Sequence, residues 1–282
     1  MISITVSQIP FKTSAPSMVY GKDLLQNVKL LADVVDNIEI VLFHTPSLNN
    51  TPSNKDLRLL NKMGKQKNVT FTVHLPASLE IASDDRTTRE DSIRLAIALC
   101  EKTAEINPIH YILHVPFSKP TLVPVPGLYF KAGNNQKWKE WTQRALEALE
   151  RILDAAGGTD KLLVENLNYS PSFLEPLWEK GFCHLCLDLG HMMLGQENVI
   201  DLLEQYLTVT KEIHLHGIKG YKDHLSLSVL PENLVHKWIN YLVKTSFNGI
   251  INLEVFNPRD LENSMNIVLE TCRLGKRVLL RK

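Results

Sequence analysis

Eight short apolar runs alternate with longer amphipathic stretches from one end of the chain to the other, and this alternation constrains the fold more than any other feature. The runs are "ISITVSQI" (2–9), "IEIVLF" (38–43), "TFTVHLP" (70–76), "HYILHVPF" (110–117), "KLLVENL" (161–167), "LCLDLGH" (185–191), "EIHLHGI" (212–218) and "IINLEVF" (250–256). Most are nearly continuous in apolar residues, as strands covered on both faces must be. Helical patterns separate them. Thr87 and Glu90 form a capping box ahead of "SIRLAIALCEKTAEI", "WKEWTQRALEALERILDAAGG" ends on glycines suited to a C-terminal cap, and Ser170-Pro171 precedes "SFLEPLWEKG". Strand–helix pairs repeated about eight times predict an α/β fold of the (β/α)8 TIM-barrel type. A chain of 282 residues suits one such barrel, and no linker or low-complexity stretch divides it, so residues 1–282 are read as one domain.

The balance of charge narrows the partners. Lys plus Arg and Asp plus Glu both number 31, which gives no general attraction to nucleic acid or to an anionic membrane. No window reaches the roughly 18 unbroken apolar residues of a membrane span. The opening "MISITVSQIPFKTS" lacks a basic leader and reads as a strand, not a signal peptide. Cys183 and Cys186 make a C-x-x-C, but Cys186 lies within an apolar run and no second pair exists; a buried strand cysteine is the simpler reading. Four thiols without a disulfide framework suit the cytosol, so the protein is expected to be cytoplasmic.

Polar residues interrupt these runs at a common height. Near the C-terminal ends fall His74 on the third strand, His114 on the fourth, Glu165 and Asn166 on the fifth, and Asp188 and His191 on the sixth. His214 and His216 follow on the seventh and Glu254 on the eighth. A barrel builds its site at that end of its strands. Three carboxylates and several imidazoles crowded there would repel and titrate one another unless a cation sits among them. A mixed imidazole and carboxylate set without thiolate suits zinc, with manganese or iron(II) as alternatives, and argues against an all-oxygen calcium or magnesium cage. His214 and His216 project to the same side by strand alternation. The long connection 118–136, with Tyr129, Phe130 and Trp138 in or beside it, leaves the same end of the fourth strand and offers apolar surface.

Glu, Asp, His and Glu on strands five to eight resemble the ligand set of the xylose-isomerase-like barrels, which include sugar epimerases and isomerases and the endonuclease-IV-type apurinic endonucleases. That resemblance implies a metal site of Glu165, Asp188, His214 and Glu254. The endonuclease branch adds histidines matched here by His74, His114 and His191. Its Asp-x-His after the seventh strand reads here as adjacent Asp223 and His224, a spacing that argues against a third metal centre. Its "HLND"-like run reads "HLHG", and its DNA-probing loops are not recognisable, which argues against nucleic acid as a partner.

The segments "DLLQNVKLLADVVDNIEIVLFHTP", "FTVHLP", "YILHV", "VENL", "CLDLGHMML", "IHLHGIKGYKDHLSL" and "LEVF" resemble the CbiR family of cobamide-remodelling phosphodiesterases. The resemblance implies hydrolysis of the phosphoester in the nucleotide loop of adenosylcobalamin or a related cobamide, giving adenosylcobinamide phosphate and the base riboside. The family's "TTSY"-like first strand end differs from "QIPFKTSAPSMVY" here. In such a reaction His216, His191 and His224 are candidates to protonate the leaving group, with Asp223 orienting His224. Lys219 and Lys222 would add positive charge near the phosphate, and Asn166 and Tyr129 would contact substrate. A sugar or inositol isomerase or epimerase, with Glu165 and Glu254 as its proton-shuttling pair, is the main alternative. An apurinic endonuclease and a catalytically silent corrinoid- or metal-binding protein are further ones.

Overall fold

A computed structural model describes residues 9–117 and 136–279, with 274–279 as backbone only. Eight parallel strands close into a barrel: β1 (Lys12–Pro16), β2 (Asn37–Val41), β3 (Thr70–His74), β4 (Tyr111–His114), β5 (Leu162–Glu165), β6 (His184–Asp188), β7 (Thr210–Leu215) and β8 (Ile250–Leu253). Each pairs with the strands before and after it, and β1 closes on β8 through Lys12 opposite Ile250. The expected (β/α)8 barrel is therefore present.

Its first strand is not the one expected. Residues 2–8 lie outside the described residues, and "KTSAP", with hardly an apolar residue, closes the barrel instead. A polar strand serves here because that side of the barrel interior is itself polar. The Asn37 amide donates to Ser14 Oγ at 3.0 Å and to Thr72 Oγ1 at 2.9 Å. Below the mouth, Glu212 accepts from Thr72 Oγ1 at 3.3 Å and pairs with His110 Nδ1 at 3.0 Å. The opposite side of the interior is apolar, built from Ile112, Leu163 and Cys186. All four cysteines are buried thiols, and burial pushes Cys183 and Cys186 up, so the C-x-x-C is structural packing.

Helices wrap the barrel and bury its outer face: α1 (Leu24–Leu31), α2 (Asn54–Lys67), α3 (Arg86–Thr103), α4 (Gln136–Ala156), α5 (Glu175–Glu179), α6 (Leu189–Leu194), α7 (Val199–Tyr206), α8 (Glu232–Lys244) and α9 (Pro258–Leu279). The cap of α3 is Asp85, which accepts from Thr88 N at 2.7 Å, in place of the expected Thr87–Glu90 box. Glu90 reaches across to Arg151 of α4 through two contacts of 2.9 Å. Gly157 (φ +90°) ends α4 as expected. Ser170-Pro171 begins a single 3-10 turn before the short α5. Among the described residues no helix is long and apolar enough to cross a membrane.

Two departures shape the mouth. The sixth strand stops at Asp188, whose carboxylate accepts from His191 N at 2.6 Å and caps α6, so the expected strand end is a helix start. After β7 the chain forms a small antiparallel hairpin, Gly217–Lys219 with Lys222–Leu225, that folds back over the barrel rim.

Candidate metal centre

The last residues of the strands converge. Glu165 ends β5, Asp188 ends β6, His214 lies near the end of β7, and Glu254 directly follows β8. All four are buried, and each offers an atom within 4.8 Å of the others. His214 Nδ1 stands 3.2 Å from Glu254 Oε2, 3.5 Å from Glu165 Oε2 and 3.9 Å from Asp188 Oδ2. His74 and His114 add their Nε2 atoms, each 3.1 Å from Glu165 Oε2, so this carboxylate lies between two clusters.

Electrostatics makes the demand for positive charge plain. Burial alone would raise the Glu165 carboxyl, yet His114 and His214 hold it well below the carboxylate range; His214 and His224 do the same for Glu254. Burial likewise opposes protonation of His74 and His224. Glu165 and Glu39 nevertheless raise His74 to about 9, while Glu254 and Asp223 raise His224 to about 11. Protonated imidazoles thus neutralise the carboxylates, in the place where a divalent cation would do so.

Outward hydrogen bonds sort the histidines. A neutral imidazole has one N–H and one lone pair, and its outer partner decides which nitrogen keeps the proton. His74 Nδ1 faces the Leu75 carbonyl at 2.8 Å, His191 Nδ1 the Asn166 carbonyl at 3.1 Å, and His214 Nε2 the Glu39 carboxylate at 3.0 Å. In its neutral form each would turn its proton outward and keep the other nitrogen for a ligand. His216 is the reverse: its Nδ1 accepts the backbone N–H of His224 at 2.9 Å, which leaves the proton on Nε2, 3.4 Å from Asp188 Oδ2. That proton disfavours Nε2 as a metal ligand.

Four buried atoms here have no hydrogen-bond partner among the described residues: Asp188 Oδ2, His214 Nδ1, His216 Nε2 and Glu254 Oε2. Unpaired buried polar atoms are costly and uncommon. Three of them belong to the Glu165, Asp188, His214 and Glu254 quartet. The donor set is oxygen and imidazole nitrogen without sulfur. These residues fit a divalent transition metal.

The family model described as the xylose isomerase-like TIM barrel matches residues 29–276. The chain belongs to that family. A solved D-tagatose 3-epimerase-like protein is 20% identical over 95% of this chain and 100% of its own, with a TM-score of 0.76. The 3-keto-D-glucoside 4-epimerase of E. coli is 12% identical over 94% and 99%, with a TM-score of 0.69. A D-psicose 3-epimerase from Clostridium cellulolyticum H10 is 13% identical over 95% and 98%, at 0.62. At these identities the likeness is one of fold. No curated protein sequence matches the chain.

Against this xylose isomerase-like frame the remaining site residues take their places. The adjacent Asp223 and His224 are not kept apart by their spacing, as strand alternation predicts. His224 adopts φ +53°, a left-handed conformation that costs about 1–2 kcal/mol in a non-glycine residue. It abandons the alternation, and His191, Asp223 and His224 offer atoms within 4.8 Å of one another. These three side chains thus form a further group of potential ligands despite that spacing. His224 Nδ1 lies 3.1 Å from Asp223 and its ring stacks on His216 at 4.3 Å. His216 in turn fits only because residue 190 is glycine: a Cβ there would lie 1.9 Å from its ring.

Asn166 is fully buried, donating to the Asp188 carbonyl at 3.0 Å and accepting from the Asp188 N–H at 2.8 Å. Lys219 and Lys222 are exposed and face each other across the hairpin turn. Tyr129 and Phe130, in the connection expected to offer apolar surface, lie outside the described residues. Sequence reasoning missed Glu39. It interrupts the apolar run "NIEIVLF", but in mid-strand and not at its end, so a search confined to strand ends passes over it.

Proposed function

We propose that the protein is a metal-dependent phosphodiesterase that hydrolyses the phosphoester in the nucleotide loop of adenosylcobalamin or a related cobamide. The observation that carries this reading is the pair His74 and His114 on Glu165. A single-ion isomerase site needs only the quartet, whereas two further imidazoles on one of its carboxylates, and a third group at His191, Asp223 and His224, suit chemistry at a phosphate with several charges to neutralise. Zinc is the ion this donor set favours, with manganese or iron(II) next. The ion would supply Lewis acidity toward the phosphate and a water of lowered pKa.

The protein's own residues do the rest. Glu165, Asp188, His214 and Glu254 hold the site, and Asn166 fixes Asp188 through its backbone. His224, kept protonated by Glu254 and Asp223, is the residue placed to donate a proton to the departing ribose oxygen. His216 stacks beneath it and takes its backbone N–H, so His216 orients the proton donor. His191 stays within reach of the same oxygen. Lys219, Lys222 and Tyr129 are assigned to the outer parts of the substrate. We assign this activity to the cytosol, in keeping with four buried thiols and no disulfide framework.

The quartet alone supports a second reading, a sugar or inositol isomerase or epimerase using Glu165 and Glu254 as opposed bases, and the resemblance to epimerase structures favours it. One experiment separates the two. The zinc-loaded protein is incubated with adenosylcobalamin and, in parallel, with D-tagatose, and the products are analysed by mass spectrometry and sugar chromatography. Adenosylcobinamide phosphate with the base riboside is expected; sugar epimerisation with intact adenosylcobalamin would overturn the proposal in favour of the second reading.

A further inference from the structure

Glu39 is a fully buried carboxylate in the middle of β2, close to Glu212 and His214 but outside the quartet. An ionised side chain so placed costs several kcal/mol unless it is paired. Its side chain has one hydrogen-bond partner among the described residues, His214 Nε2 at 3.0 Å; its other oxygen has none. β2 and β7 are not neighbours, since β1 and β8 stand between them, so this contact crosses the barrel interior. It is not a by-product of strand pairing.

The contact fixes what the other side of the ring can do. With the proton on Nε2 and donated to Glu39, Nδ1 carries a lone pair toward Glu254, Glu165 and Asp188 at 3.2 to 3.9 Å, and it has no hydrogen-bond partner of its own. We propose that Glu39 is the positioning residue of His214: it selects the Nε2–H tautomer and the ring orientation that present Nδ1 to a divalent cation. This rests on the reading of the quartet as a metal site. His74 achieves the same with a backbone carbonyl, which no substitution removes. The partner of His214 is a side chain, so its role can be tested.

The test uses the full chain, stripped with a chelator and titrated with cobalt(II), whose visible absorption reports site occupancy without any turnover. Wild type, Glu39→Ala, Glu39→Gln and His214→Ala are compared, with circular dichroism to confirm folding. Losing an outer partner of a metal-bound histidine typically weakens binding by about 10–100-fold, and Glu39→Ala is expected to do so. Glu39→Gln keeps an acceptor oxygen at nearly the same place and is expected to bind more tightly than Glu39→Ala, within about tenfold of wild type. If Glu39→Ala does not fold, Glu39→Gln carries the test alone, and a loss above about a hundredfold in it refutes the role. Glu39→Ala binding as wild type does, in a series where His214→Ala has lost the cobalt signal, removes Glu39 and leaves the metal site standing. Glu39→Gln binding no better than Glu39→Ala also refutes the role. His214→Ala binding as tightly as wild type would instead overturn the metal reading itself.

Discussion

The imidazoles at the mouth differ in the nitrogen on which their neighbours would keep the proton. His74, His191 and His214 turn theirs outward to Leu75, Asn166 and Glu39, while His216 keeps its own facing Asp188 because the His224 N–H occupies Nδ1. Hydrogen bonds alone thus distinguish histidines that would keep an inward lone pair from His216, which would not. Glu165→Gln and Asp188→Asn, which remove ligand charge but little volume, should abolish activity with the fold intact, checked by metal content and circular dichroism. His216→Ala should lower turnover by about 10²-fold or more, as expected for loss of acid–base positioning, while the metal stays bound; equal losses of both would make it a ligand. The convergence of Glu165, Asp188, His214 and Glu254 could be read from the sequence because each breaks an apolar run near a strand end. Glu39 could not, since a mid-strand carboxylate looks the same whether it holds a histidine across the barrel or merely fills a polar interior. The tautomers were equally hidden, because they depend on partners supplied by other strands.

Among the elements, the ends of strands six and seven do the most to shape the site. Asp188 serves twice, as a candidate ligand through Oδ2 and as the cap of α6 through Oδ1, which accepts from His191 N. Strand end and helix start coincide there, so the run "CLDLGH" reads in sequence as strand alone. The left-handed His224 was illegible for a related reason: Asp-His carries no turn signal, and the conformation is held by His216. Outside the ligand groups, Asp85 caps α3. Asp85→Ala should cost about 1 kcal/mol, seen as a lowered unfolding midpoint with unchanged activity. Loss of activity in that variant would contradict the division between scaffold and site.

For the whole molecule, the repeated alternation of apolar strands and amphipathic helices was enough to give the barrel, since parallel strands covered on both faces read as apolar runs. The first strand was misplaced because "KTSAP" packs against a polar interior that hydropathy does not register. Buried charge also ties stability to pH. His74 is raised from near 6.5 to about 9 by Glu165 and Glu39 against the opposing effect of burial. Its contribution is therefore complete below pH 6.5 and lost as pH rises through 9. Glu165 and Glu254 are depressed, so their contribution holds above pH 4.5 and fades as pH falls. Chelator-treated protein should show an unfolding midpoint that drops between about pH 6.5 and pH 9, whereas zinc-loaded protein should not, because the cation replaces the imidazolium charge. A flat profile after chelation would contradict this. The decisive measurement is an anomalous difference map from a zinc-soaked crystal, collected at the zinc edge. A peak enclosed by Glu165, Asp188, His214 and Glu254, on the Nδ1 side of His214, is predicted; a map without one, in crystals whose four side chains still converge, would contradict the metal centre.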